Sequence, residues 1–255
     1  MSKIFESKIK SNVEVAPTVF KLEIDAPELA QLAKAGQFAQ IQLPSEIFTL
    51  RRPIGIASTI NGVKMFYRVV GRGTKFLSTL KAGTTLNILA PLGNGFSTQQ
   101  NKKILLVGGG MGLAPLLSVA EKLREVEVLI GGKNKEEVTF WIKEFVHIPA
   151  VTSIFVTTDD GSYRYGRKGF ATDYLPEILS ADKYSAVYTC GPDVMMYGTA
   201  LEAIANGFHC EICFERRMAC GLGACLSCSI ETVNGRKKVC KDGPVFDARE
   251  FIWNT

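Results

Sequence analysis

The sequence predicts a multi-domain chain: an antiparallel β-barrel over residues 1–99, an α/β parallel-sheet domain over 100–209 and a small C-terminal domain over 210–255. Three observations lead there. Period-two alternation of apolar and polar residues fills the first hundred positions. Beyond Lys103 short, continuously apolar runs alternate with helix-like stretches. Six of the seven cysteines, finally, lie beyond residue 209.

The barrel rests on segments such as Thr18–Ile24, Gln37–Leu43 and Val63–Val70, which alternate and are bounded by Gly, Pro and Asn. Repeated alternation with turn signals is the pattern of an antiparallel barrel. Pro91-Leu-Gly-Asn-Gly95 is turn-rich and Thr98–Lys103 is polar, which places a boundary near residue 100. After it, Ile104–Val107, Glu127–Ile130, Ser153–Val156 and Ser185–Tyr188 read as buried strands. Helices are expected over Leu113–Arg124, Lys135–Phe145 and Asp193–Asn206. Strands alternating with helices imply a parallel sheet.

Composition narrows the function. The 255 residues suffice for two or three cores, and 46% hydrophobic with 22% charged residues is ordinary for a globular chain. A net charge of +5 without a Lys/Arg run argues against nucleic acid. The first residues lack the apolar core of a secretion signal. Ile104–Ala120 is the most membrane-like stretch, but it is interrupted by four glycines and a proline between Gly108 and Pro115. A strand, turn and helix suit it better than a span, which needs about 20 apolar residues. The expected setting is therefore cytoplasmic, with no membrane.

In a reducing compartment, clustered cysteines point to metal or redox chemistry. Cys220, Cys225, Cys228 and Cys240 are spaced C-x4-C-x2-C-x11-C. The plant-type C-x4-C-x2-C…C arrangement wraps a 2Fe–2S cluster. Gly221 and Gly223 would let the loop turn and bring amides toward sulfur. A zinc site pairing Cys210/Cys213 with Cys225/Cys228 is the competing reading. Phe208–Phe214 alternates like a strand, however, so Cys210 and Cys213 read as packing residues. A Rieske centre would need two histidines in the loop, and His147 and His209 both lie outside it.

Gly108, Gly109, Gly110 and Gly112, followed by Pro115, sit between a strand and a helix. Such a turn admits a pyrophosphate against the backbone at a helix N-terminus. Leu113 stands where a third motif glycine would be, so a purely structural turn stays open. Gly131–Glu137 carries charges of both signs, leaving NADH against NADPH undecided.

Leu50-Arg-Arg-Pro-Ile54, Gly108–Pro115, Tyr188-Thr-Cys-Gly-Pro192, Glu215–Cys225 and Val239–Phe246 together resemble the ferredoxin–NADP reductase superfamily over essentially the whole chain. Within it they are most similar to the electron-transfer subunits of dihydroorotate dehydrogenase B. The resemblance implies FAD in the barrel. Arg52 would bind its pyrophosphate, as a bidentate guanidinium can. Pro53 and Ile54 would lie along the flavin, Tyr67 and Arg68 would meet the flavin or ribityl chain, and Gly73 and Thr74 would meet the phosphates. Tyr67 and Arg68 as plain strand residues is the alternative. At Gly55 the family usually has a serine beside flavin N5; here either the backbone N–H replaces it or that bond is missing. Cys190, Gly191 and Pro192 would form the nicotinamide pocket of NAD(H), with Cys190 as a core cysteine beside a turn the alternative. Thr158–Ser162 would lie near the nucleotide, and Glu215 at the flavin-to-cluster interface.

The implied activity is that of an oxidoreductase subunit without a protein acid or base, since hydride transfer to flavin needs stacking and orientation. Electrons would pass between NAD, FAD, the 2Fe–2S cluster and an FMN-containing dihydroorotate dehydrogenase catalytic subunit, in a heterotetramer of two plus two, during orotate formation in pyrimidine biosynthesis. Two alternatives are the small FAD/2Fe–2S subunit of a ferredoxin–NADP oxidoreductase or hydrogenase-type complex, and a non-catalytic zinc-binding nucleotide sensor. The presence of all four cysteines favours the first reading over a subgroup that replaces one with aspartate.

Overall fold

The computed structural model describes residues 2–98, 103–181 and 184–251, so the predicted boundary near residue 100 lies outside the described residues. Strands β1 (Lys3–Ala16), β2 (Val19–Asp25), β3 (Phe38–Ile41), β4 (Arg52–Ser58), β5 (Val63–Arg68) and β6 (Thr85–Leu92) close a barrel in the order β1-β2-β5-β4-β3-β6. Every neighbouring pair is antiparallel. Alternation explains the closure: Leu22, Ile24, Ile41, Ile56 and Met65 all point inward and are fully buried. Two short helices, α1 (Pro27–Leu32) and α2 (Arg72–Thr79), pack on this barrel.

The second layer contains β7 (Ile104–Gly109), α3 (Leu113–Ala120), β8 (Val126–Gly132), α4 (Lys135–Phe145), β9 (Val151–Thr158), β10 (Arg167–Lys168), α5 (Ala171–Ala181), β11 (Ala186–Cys190), α6 (Asp193–Ala205) and β12 (His209–Cys213). Hairpin strands β13 (Ser229–Thr232) and β14 (Gly235–Lys238) follow, then β15 (Val245–Asp247). The sheet runs β10-β9-β8-β7-β11-β12-β15, parallel except for the last pair. All of β7 is buried, as expected of a strand covered on both faces. The predicted division at residue 210 falls inside β12. The C-terminal segment thus contributes two strands to the sheet and is fastened to it by backbone hydrogen bonds.

Helix ends follow local chemistry. The Asn134 side chain accepts from the Glu137 amide at 3.1 Å, capping α4, and Glu136 and Glu137 sit in its first turn. The helix predicted over Leu113–Arg124 stops at Ala120. The Lys122 and Leu123 amides both turn onto the Val119 carbonyl, at 2.9 and 3.2 Å, which tightens the last turn before β8.

Barrel and sheet share one core. All eight residues of α3 are buried, and the helix packs against β4. Phe66 of β5 meets Trp141 of α4 edge-on with ring centroids 5.3 Å apart. The Ser118 hydroxyl accepts from the Gly36 amide at 3.1 Å, and Phe96 stacks on Tyr188 at 5.2 Å. Truncating Trp141 would open a cavity at this junction. Trp141→Ala is expected to lower unfolding free energy by about 3–5 kcal/mol, read from urea denaturation.

Candidate functional site

The three parts of the chain meet at a cleft of about 430 Å³. The barrel supplies Arg52, Pro53, Ile54, Gly55, Tyr67, Arg68 and Thr74; α3 and the turn before it supply Met111, Ala114 and Pro115. The C-terminal segment contributes Cys213, Phe214, Glu215, Arg216, Met218 and Pro244. Gly73 lies beneath Arg52. A Cβ built on Gly73 would stand 2.0 Å from the Arg52 Nε, so only glycine lets the guanidinium rest there. Arg52 forms no ion pair with a carboxylate among the described residues; its Nη1 donates to the Leu50 carbonyl at 2.5 Å. This leaves a cation facing the cleft with its charge uncompensated, suited to a phosphate.

Tyr67 is buried and stacks on Phe20 at 5.5 Å, while its hydroxyl donates to Asn12 Oδ1 at 2.9 Å. Burial pushes the phenol up to about 12, so it remains a neutral donor at physiological pH. Asn12 in turn donates to the Leu77 and Leu80 carbonyls at 2.8 and 3.0 Å, fixing the C-terminal end of α2. Arg68 pairs with Glu137 of α4 at 3.1 Å, so it bridges barrel and sheet. The Thr74 hydroxyl accepts from the Val70 amide at 2.9 Å and closes the first turn of α2. At Gly55 a Cβ would meet nothing within 4 Å, so a serine would fit without strain.

Beside the cleft, the sheet reverses its strand order between β7 and β11, where Gly108 lies level with Cys190. Such a switch point leaves a crevice at the carboxyl ends of the strands. Gly108 and Gly109 end β7, Gly110 turns with φ +57°, and Gly112 opens α3. A Cβ at Gly112 would lie 2.3 Å from the Cys190 carbonyl oxygen. Gly191, at φ +152°, would clash with the Gly109 backbone at 2.9 Å, and Pro192 precedes α6. These glycines therefore allow two backbone segments to touch. Thr158 and Thr189, near the carboxyl ends of β9 and β11, have buried hydroxyls without a hydrogen-bond partner, which fits a polar ligand. In the Thr158–Ser162 segment, Ser162 Oγ accepts from the Lys135 amide at 2.7 Å, tying that loop to α4.

The cysteine loop follows directly on Met218, which lines the cleft. The Gly223 amide donates to Cys240 Sγ at 3.1 Å, the Leu222 amide to Cys220 Sγ at 3.3 Å, and the Cys240 amide to Cys228 Sγ at 3.4 Å. No set of three His, Cys, Asp or Glu side chains among the described residues forms a ready-made metal cage. The four thiols are instead linked in pairs, with amides already turned toward sulfur, as an anionic sulfur cluster needs. Cys225 is exposed, and hydrogen bonds, first from Ser227, lower its thiol to about 6. Burial, followed by contact with Cys228, pushes Cys240 up to about 12. Cys210 and Cys213 are buried in β12 away from this loop. Cys213 sits beside Cys190, and that thiol contact, with burial, raises Cys190 well above the ordinary range.

A family model for the iron-sulfur cluster binding domain of dihydroorotate dehydrogenase B matches residues 215–252. The chain is 37% identical to a dihydroorotate dehydrogenase B (NAD(+)) electron transfer subunit of Streptococcus pneumoniae (strain ATCC BAA-255 / R6), across 96% of this chain and 97% of that one. A second such subunit, from Desulforamulus reducens, is 34% identical across 99% and 100%. The chain belongs to this family of electron transfer subunits. Among solved structures, one from a study of flavin-based electron bifurcation by an NADH-dependent reduced ferredoxin-NADP oxidoreductase superposes with a TM-score of 0.83 and 30% identity, covering 97% of this chain and 90% of that one. A Neisseria gonorrhoeae ferredoxin NADP+ reductase with bound FAD and NADP shares the fold, with a TM-score of 0.66 at 18% identity, covering 80% of this chain and 92% of that one.

For a member of the family, the cleft includes residues that motif reading passed over. Phe38 and Phe214 line it from outside every motif stretch, and no local pattern marks them because they come from separated segments; Met218 and Pro244 line it from within the Glu215–Cys225 and Val239–Phe246 stretches. Glu215, expected at the interface, does border the cleft, on its exposed side.

Gly73→Ala should displace the Arg52 guanidinium and weaken FAD retention at least tenfold, whereas Gly55→Ser should retain FAD as the parent does. Flavin fluorescence released on dilution measures both. Gly112→Ala should impair NADH-dependent flavin reduction in stopped flow while leaving bound FAD in place.

Proposed function

We propose that this electron transfer subunit carries electrons between NAD(H) and a catalytic dihydroorotate dehydrogenase subunit, with FAD at the barrel cleft and a 2Fe–2S cluster held by Cys220, Cys225, Cys228 and Cys240. One observation carries the reading: a single cleft is walled by the Arg52 strand, the helix after the glycine turn and the segment leading into the cysteine loop. FAD supplies the exchange of a two-electron hydride for single electrons. The chain's own residues bind and orient. Arg52 over Gly73 offers fixed positive charge to a pyrophosphate, and Pro53, Ile54 and Gly55 leave a flat apolar wall beside it. The crevice of Gly108–Gly112 and Cys190–Pro192 offers backbone to the nicotinamide nucleotide. No side chain has to move a proton at a substrate atom.

The division into units at 1–99, 100–209 and 210–255 accords with this sharing of tasks, although the last two are joined through β12. The catalytic partner, in this proposal, carries FMN and assembles two plus two with this chain in the cytoplasm. No helix among the described residues is long and apolar enough to cross a membrane. Around the exposed Cys225, Leu222 and Leu226 are 53% and 59% exposed and give the partner an apolar rim to meet. Against the ferredoxin–NADP oxidoreductase alternative stand the higher identities to the dihydroorotate dehydrogenase B subunits.

Cys225→Ser is expected to abolish the iron–sulfur absorption and electron delivery to the partner, yet retain NADH-driven dye reduction through FAD. Cys210→Ser should retain the cluster. The deciding assay is NADH formation from dihydroorotate after mixing purified chain with the catalytic subunit. No NADH from a fully loaded mixture would falsify the proposed function.

A further inference from the structure

Gln40 is a buried polar residue that does not line the cleft. It lies in β3, where Ala39 and Ile41 point into the barrel and Phe38 packs outward against the C-terminal segment. Period-two alternation puts the Gln40 side chain on the outward face with Phe38. It is completely buried, and neither Nε2 nor Oε1 has a hydrogen-bond partner. Buried carboxamides nearly always find partners, because stripping water from both ends without replacement is costly.

The neighbour of this amide is the cysteine loop. A Cβ built on Gly221 would lie 2.5 Å from Gln40 Nε2, 2.9 Å from its Cγ and 3.1 Å from its Cδ. Gly221 follows Cys220 directly, at φ +69°, inside the segment that separates the first two cysteines. A side chain there would strain the turn and also evict the amide. The contact crosses from the barrel to the loop through buried space, and Nε2 is the atom pressed nearest. The loop on that side is rich in sulfur, and its Leu222, Gly223 and Cys240 amides already point at cysteine sulfurs.

We propose that the Gln40 carboxamide donates an Nε2–H hydrogen bond to the sulfurs of the cluster held by Cys220, Cys225, Cys228 and Cys240, and so sets its reduction potential from within the flavin barrel. This rests on the reading of those cysteines as ligands. A donor to sulfur favours the more negative, reduced state, so it raises the potential. Gln40 is thereby a positioning residue: it touches neither nicotinamide nor flavin, and it acts through the sulfurs. An acceptor oxygen at the same place would repel them.

The test is an EPR-monitored redox titration of the FAD- and cluster-loaded chain, comparing the parent with Gln40→Leu and Gln40→Glu. The cluster midpoint should fall in both variants. About a tenfold shift of the equilibrium toward the oxidised cluster is expected, or about 59 mV for one electron. The flavin midpoint should stay in place. A cluster midpoint unchanged in loaded variants overturns the proposal. If the variants fail to hold a cluster, the parent chain decides: with side-chain ¹⁵N-glutamine, pulsed EPR of the reduced cluster should show a nitrogen coupling, and its absence overturns the proposal. Gln37 does not confuse this, since its Nε2 is spent on the Gly93 carbonyl at 2.6 Å. A parent-like cluster spectrum in Cys220→Ser would overturn the ligand reading together with the proposal. If that spectrum is lost but the Gln40 variants titrate as the parent does, the proposal alone fails.

Discussion

The outward face of β3 and β4 is the surface on which the rest is assembled. A barrel strand has two faces, and in most of this barrel the second one meets water. Here Ala57 joins the core under α3, while Phe38 joins the core under the C-terminal segment. Both neighbours must therefore dock along one strip of a single strand pair. The cleft is what remains between them, and its walls come from all three parts because the strip is too narrow for any one to cover alone.

Close backbone approach keeps this arrangement rigid. Gly112 sits against the Cys190 carbonyl, Gly73 beneath the Arg52 guanidinium and Gly93 against Pro244. None of these contacts has room for a methyl group. The Asn94 amide donates to the Gly243 carbonyl at 2.6 Å, so the end of the barrel is tied to the end of the cysteine segment by main chain as well as by packing. The aromatic trio Phe214, Phe246 and Phe251, with centroids 4.9 to 6.1 Å apart, anchors that segment to the sheet. Electron transfer falls steeply with distance, so a scaffold that holds the Arg52 cleft and the cysteine loop in fixed relation matters more than any acid or base.

Charge is placed with the same economy. Arg52 keeps an uncompensated cation in the cleft, whereas Arg68, at the end of the neighbouring strand, is spent on Glu137 across the barrel–sheet junction. That pair is half-exposed and contributes little to stability. Its use is orientation, holding α4 against β5. Around the cysteines the field comes from amides, which carry no counter-charge and can face sulfur without titrating.

Much of this was legible in the sequence, for a physical reason. Alternation in Val63–Val70, the apolar run Ile104–Val107 and the spacing of Cys220, Cys225, Cys228 and Cys240 are local, and local periodicity is set by which face of a strand or loop is buried. Strand and helix types, the glycine turn and the clustered thiols therefore followed from neighbours in the chain. The extent of the helix after that turn did not, because the start of β8 ends it. Nor did the inclusion of β12 and β15 in the sheet, the pairing of Arg68 with Glu137, or the burial of Gln40 against Gly221. Those depend on residues from 23 to 181 positions apart meeting across a shared face, which only the packed chain decides.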